Sequence, residues 1–205
     1  MKFVYASAAL QEADFVLIGV PDESGNTSPR TGSKRAPETI RKIAYERCVF
    51  KRKGTFSSQA SPLQIPQKIH DYGDVDKKKL AKVIEVLKGK VPIVLGGDHS
   101  ITTEIIKQFP HATIIYFDAH PGVLSSMQGY YGSVLTTAEI SLGKSVHIGV
   151  REAEIQELKH IKKENLLTLP AEAFFEKNIE VLWEQIHKKV QGEVYISIDL
   201  NVFDP

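Results

Sequence analysis

Along the chain, short runs of consecutive apolar residues alternate with stretches whose apolar positions recur every three or four residues. The runs at 15–20 (FVLIGV), 91–95 (VPIVL), 112–117 (ATIIYF), 145–150 (SVHIGV) and 193–198 (EVYISI) are rich in β-branched and aromatic residues. Near-continuous apolar runs of this length predict strands covered on both faces. Leu80, Val83, Ile84 and Leu87 fall at i, i+3, i+4 and i+7, and Ile179, Leu182, Trp183, Ile186 and Val190 repeat the spacing. Each set predicts a helix with one apolar face. Such alternation predicts an α/β fold in three layers, a mostly parallel sheet with helices on both faces. Residues 21–37 and 51–66, rich in Ser, Gly, Thr, Pro and charge, read as loops. Residues 1–205 read as one domain, expected to be incomplete at its C-terminal end because the last strand run has no covering element after it.

Composition narrows the function classes without naming one. Apolar residues make up 42% and charged residues 25%, and the formal net charge is +1. No basic field of the kind that draws in nucleic acid is implied. No apolar run approaches the roughly 20 residues that a membrane span needs. The first residues lack the apolar stretch of a secretory signal. Cys48 is the single cysteine, so no disulfide forms within the chain. A reducing, cytoplasmic setting is the expectation.

Chemistry enters at the strand ends. Ligands of open parallel sheets bind outside the carboxyl ends of the strands. After 91–95 come Gly96, Gly97, Asp98, His99 and Ser100; after 112–117 come Asp118, Ala119 and His120; after 193–198 come Asp199, Leu200 and Asn201, then Asp204 and Pro205. Carboxylates and imidazoles thus converge on one sheet edge from separate strands. In extended backbone, residues i and i+2 face the same side, so Asp118 with His120, and Asp199 with Asn201, could each grip one centre. Oxygen donors with some imidazole suit a hard or borderline divalent ion such as manganese. Each residue also has a plainer reading. Asp98 and Ser100 suit helix capping, His99 a loop histidine, and Asp204 a turn before proline. The absence of GxGxxG, GxxxxGK[ST] and GxSxG argues against nucleotide-binding folds and α/β-hydrolases.

These residues resemble the ureohydrolase family, which includes arginase, agmatinase and formimidoylglutamase. Residues 96–100 match its GGDHS motif, 118–120 the start of DAHxD, and 197–205 resemble SxDxDxxDP. Gly19 to Asp22, Gly32 with Ala36-Pro37 and Ile40-Arg41, residues 71–75 (DYGDV), and Ile148 to Arg151 resemble further family segments in the same order. The resemblance implies an arginase/deacetylase-like fold lacking its C-terminal part, and hydrolysis of guanidino or amidine carbon–nitrogen bonds by manganese-activated water. It places His99, Asp118, His120 and Asp199 at metal-ligand positions, with Asn201 as a weak fifth. It implies a small guanidino substrate and a homo-oligomer.

The resemblance also marks departures. Gly122 stands at the second aspartate of DAHxD and Asn201 at the second aspartate of SxDxD. Glycine offers no side-chain donor and asparagine only a neutral oxygen. One weakly held ion is therefore expected rather than two. Tyr131 stands at the proton-shuttle histidine, and a phenol, titrating near pH 10 in general, is a poor shuttle at neutral pH. His147, inside a strand run, reads as structural. Two functional readings follow: a ureohydrolase with impaired activity, or an inactive homologue with a binding, regulatory or vestigial role. On the same mapping, aspartate restored at positions 122 and 201 should raise manganese affinity.

Overall fold

The computed structural model describes residues 1–49, 67–124, 129–138 and 142–203. The expected loop at 51–66 and the Asp204-Pro205 turn lie outside them. The chain forms two compact units, Met1–Glu23 with Ser28–Ile101, and Ser24–Thr27 with Thr102–Pro205.

In the first unit, β1 (Phe15–Val20) lies between β2 (Ile69–Asp74) and β3 (Val91–Gly96), all parallel. The central strand is the most apolar run of the chain, and Val16, Leu17, Ile18 and Val20 are all buried. Helices α1 (Ala36–Val49) and α2 (Lys77–Val86) belong to this unit. Helix α2 begins at Asp76, whose side chain accepts from the Lys78 N–H, and buries Leu80 and Ile84 with Leu87 just beyond its end.

One charged group is sunk into this unit. The Arg41 guanidinium, its side chain 4% exposed, donates to both Asp71 oxygens at 2.8 and 2.9 Å and to Asp74 at 2.6 Å. The Phe3 and Gly73 N–H groups also donate to Asp71. Burial pushes the Asp71 carboxyl up, but the Arg41 and backbone hydrogen bonds outweigh it and hold it below its ordinary value. A buried ion pair survives desolvation only when bidentate and fully hydrogen-bonded, as here.

The second unit holds β4 (Thr113–Phe117), β5 (Val146–Val150), β6 (Leu167–Pro170) and β7 (Val194–Ile198), all parallel in the order β6-β5-β4-β7. Helices α3 (Ile101–Ile106, beginning at the unit boundary), α4 (Val134–Thr137), α5 (Ile155–Lys163), α6 (Ala173–Glu176) and α7 (Ile179–Lys189) accompany them. Helices lie on both faces, as expected. Ile114 and Tyr116 of β4 pack with Ile106, Val134 and Leu135 on one side. Val146, Ile148 and Leu169 pack with Leu182 and Ile186 on the other. This is the expected α/β arrangement, with the described strands parallel in both sheets.

Two differences from expectation have simple causes. The apolar stripe of α7 is narrower than its sequence suggests. Leu182 and Ile186 form the buried i, i+4 row, whereas Ile179 and Trp183 are 63% and 62% exposed. Strand β6 escapes the sequence because it is four residues long, alternates apolar with polar, and ends at Pro170. Among the described residues, no helix is long and apolar enough to cross a membrane.

The sheet order has one consequence for chemistry. The chain runs outward from β4 through β5 to β6, then returns by α7 to place β7 on the other flank of β4. The strand order therefore reverses at β4, and such a switch point opens a crevice at the carboxyl ends.

Arg41→Met should cost about 3–5 kcal/mol in denaturant unfolding, because it strands two carboxylates without their partner. Asp71 has a lowered folded pKa, so its stabilisation is present above the ordinary carboxylate pKa and lost as pH falls through the folded one. Asp71→Asn should accordingly flatten the loss of stability below about pH 4 in acid-unfolding titrations.

Candidate metal centre

Strands β4 and β7 pair in register, with Phe117 opposite Ile198. The next residue on each strand is an aspartate, so Asp118 and Asp199 stand side by side at the switch point. The Asp199 N–H donates to the Phe117 carbonyl, fixing the pair beyond the last ladder position. Asp118 is buried and Asp199 half-buried. Like charges at neighbouring strand positions repel. The pair is held by donors: Asp118 accepts from the His120 N–H at 2.9 Å and from the Tyr116 hydroxyl, and Asp199 accepts from the Asn201 N–H at 2.9 Å.

The i, i+2 pairs are not extended, as the strand argument assumed. Each folds into a tight turn in which the aspartate accepts the N–H two residues on. The turn after β7 continues as a 3-10 helix, Leu200–Val202, with Asp199 as its cap. His120 and Asn201 nevertheless meet, their side chains 3.2 Å apart.

The Asn201 amide has a definite orientation. Its Oδ1 accepts from the Ala119 N–H at 2.9 Å, so its nitrogen is the atom facing His120 Nδ1. With the His120 ring neutral, the amide donates to Nδ1 and the proton sits on Nε2, which lies 3.3 Å from Glu152. With the ring protonated, Nδ1 instead faces the Asp118 carboxylate at 3.4 Å. The Asp118 hydrogen bond, opposed by desolvation and helped by the Asp118 charge and Glu152, raises the His120 pKa. The ring itself is half exposed.

Supporting residues come from β5 and α5. The Arg151 and Glu152 N–H groups both donate to the Ala119 carbonyl, and the Arg151 guanidinium donates to the Asn201 and Val202 carbonyls at 2.7 and 2.9 Å. One arginine thus ties the end of β5 to the turns after β4 and β7. Glu157, buried at the first turn of α5, accepts from the Glu154 N–H and from the Val123 N–H, anchoring the segment that follows His120. Burial pushes its carboxyl above the ordinary value.

Tyr131 opens a 3-10 turn, Tyr131–Ser133, before α4, and its N–H donates to the Gly25 carbonyl. Its ring lies 4.5 Å from that of Tyr130. The Tyr130 hydroxyl is pushed up to about 12, by its hydrogen bond to Tyr131 first and then by burial. His147 is fully buried on β5 and stacks on Tyr116.

His99 lies in the first unit, half-buried in the turn after β3. Gly97 lets this turn close: a Cβ there would overlap the Asp22 carbonyl, which accepts the Asp98 N–H at 2.9 Å. Asp98 accepts from the Ser100 N–H in a turn just ahead of α3. Sequence reasoning did not single out Tyr116, Glu152 or Glu157, and quoted Arg151 only as a family mark. Two signals were available. Tyr116 is two residues before Asp118 and so shares its strand face, and Arg151-Glu152 follows a strand just as the acidic motifs do.

The donor set suits a divalent cation. Two adjacent carboxylates create a negative site that one bound charge would relieve, and an imidazole stands beside them. The sequence model described as "Arginase family" matches residues 13–205. This chain belongs to the arginase family. It is 34% identical over 208 residues to an uncharacterized 32.2 kDa protein of Methanothermus fervidus, covering 93% of this chain and 70% of that protein. It is 31% identical to the agmatinase of Blochmanniella floridana, covering 94% and 67%. In fold it matches the agmatine ureohydrolase of Thermoplasma volcanium with a TM-score of 0.75 at 24% identity, covering 96% of this chain and 70% of that one. The chain thus spans about two-thirds to 70% of the length of these relatives.

Arg151→Met removes the guanidinium bonds to the Asn201 and Val202 carbonyls. It should cost on the order of 1 kcal/mol, and amide exchange should quicken at Val202 and Phe203, whose N–H groups bond within the turn that Arg151 holds. Unchanged exchange there would show that the turn stands without it.

Proposed function

We propose that this protein is an agmatinase- or arginase-type hydrolase of guanidino or amidine carbon–nitrogen bonds, working at low turnover with one manganese ion. The observation that carries the reading is the Asp118–Asp199 pair, side by side at the switch point of a sheet in an arginase-family chain. Asp118, Asp199 and His120 would hold the ion, with His99 a ligand by its motif position; Asn201, whose Oδ1 accepts from the Ala119 N–H, would have to turn its amide to join as a weaker neutral donor. The ion would supply Lewis-acid activation of water at neutral pH.

The rest is the work of the chain's own groups. Tyr116 and the His120 N–H orient the Asp118 carboxylate. The Asn201 N–H does the same for Asp199. Glu152, 3.3 Å from Nε2, is placed to accept from a proton-bearing Nε2 of the His120 ring. Tyr131 stands where the family resemblance places a proton-shuttle histidine, and a phenol there would move protons slowly at neutral pH, in keeping with a low turnover. The substrate is a small guanidino compound.

A second reading, an inactive homologue with a binding or regulatory role, draws on one observation. The Asn201 amide nitrogen faces the Nδ1 atom of His120, so metal binding through Nδ1 must displace it.

Urea release from agmatine and from arginine should depend on manganese and be abolished by Asp118→Asn. Calorimetry should find manganese affinity reduced roughly tenfold or more in Asp118→Asn and in Asp199→Asn. No turnover of any guanidino substrate at saturating manganese would overturn the enzymatic reading. Two tightly bound ions per chain would instead overturn the inactive one.

A further inference from the structure

Tyr116 stands two residues before Asp118, the first residue past its strand. It lies on β4, fully buried, and its ring packs in the cluster of Ile114, Val123, Val134 and Leu135. Its register partner on β5 is His147, whose ring stacks on it at 5.0 Å and 28°. The hydroxyl hydrogen-bonds to the Asp118 carboxylate. The same hydroxyl stands over Gly122. A Cβ at position 122 would lie 2.8 Å from Oη and 3.3 Å from Cζ, and the backbone there has φ +65°.

Neither side of this contact can yield. The ring is walled in by the core and by His147. The Gly122 carbonyl accepts from the Leu135 N–H, and the next two N–H groups, of Val123 and Leu124, donate to Glu157 and to the Gly132 carbonyl. Position 122 therefore needs glycine twice, for its left-handed backbone and for the oxygen above it.

We propose that Tyr116 and Gly122 form an interlocked pair, in which the tyrosine hydroxyl closes the position of the motif's second aspartate and positions Asp118 as a ligand of a single cation. The inference rests on the metal-site reading above. It makes the absence of the aspartate a packed arrangement with its own donor, rather than a bare deletion. A phenol keeps its proton at neutral pH, so the Tyr116 hydroxyl is a donor there. Restoring aspartate at 122 and 201 is then insufficient while the hydroxyl stays.

The test is a set of variants of the full chain, read by thermal unfolding and by manganese stoichiometry. Gly122→Ala should lower the Tm by several degrees, and by distinctly less in the Tyr116→Phe background. The backbone strain at φ +65° is common to both backgrounds and cancels, so the difference reports the contact. Gly122→Asp with Asn201→Asp should bind at most one manganese ion, and adding Tyr116→Phe should admit a second. Equal Tm losses in the two backgrounds would overturn the interlock. So would two ions bound by Gly122→Asp/Asn201→Asp at the parent Tm, or no second ion in a folded triple variant. If the triple variant does not fold, the alanine cycle decides. If the parent binds no manganese while the alanine cycle shows the coupling, the interlock stands and the metal-site reading fails.

Discussion

Two carboxylates at neighbouring positions of a parallel sheet repel each other, and the turns after β4 and β7 answer that repulsion with hydrogen-bond donors. The β4–β7 register sets Asp118 and Asp199 side by side. The surrounding groups either donate to them or hold those that do: the Tyr116 hydroxyl, the His120 and Asn201 N–H groups, and the Arg151 guanidinium on the turn after β7. Desolvating negative charge without a partner is costly. A network of donors tolerates the pair, and a cation would complete it. Fold and chemistry are joined here, because the topology that reverses direction at β4 is what brings the two aspartates together.

The same small device recurs at several strand ends. Asp71 accepts the Gly73 N–H, Asp98 the Ser100 N–H, Asp118 the His120 N–H and Asp199 the Asn201 N–H, each at 2.9 Å. Where a ladder stops, the next N–H groups lose their partners, and an aspartate supplies one from its own side chain. The turn engages one carboxylate oxygen in each case. The structural and chemical readings of such residues are therefore compatible. At Asp71 the carboxylate meets Arg41; at Asp118 it stands beside Asp199.

Much of this was legible in the sequence. The five apolar runs are strands, the α2 stripe buries as its spacing implies, and the motif residues after β4 and β7 do come together. What escaped did so for physical reasons. A four-residue strand ending in proline carries too little pattern to read. The α7 stripe could not disclose which of its apolar residues meet the sheet. The i, i+2 argument assumed extended backbone, whereas the aspartates bend it into turns. The orientation of the Asn201 amide follows from the Ala119 N–H, which lies 82 residues away in sequence and is brought near only by the β4–β7 pairing. Tyr116 hid inside an apolar run, where a tyrosine reads as core, and it is core as well as donor.

The contact between Tyr116 and Gly122 bears on the routes by which such a chain can change. A larger residue at 122 meets a fixed oxygen, while loss of that oxygen first costs Asp118 a donor and gains nothing at 122. In the language of sequence space, the contact makes the two positions epistatic: what position 122 tolerates depends on the residue at 116.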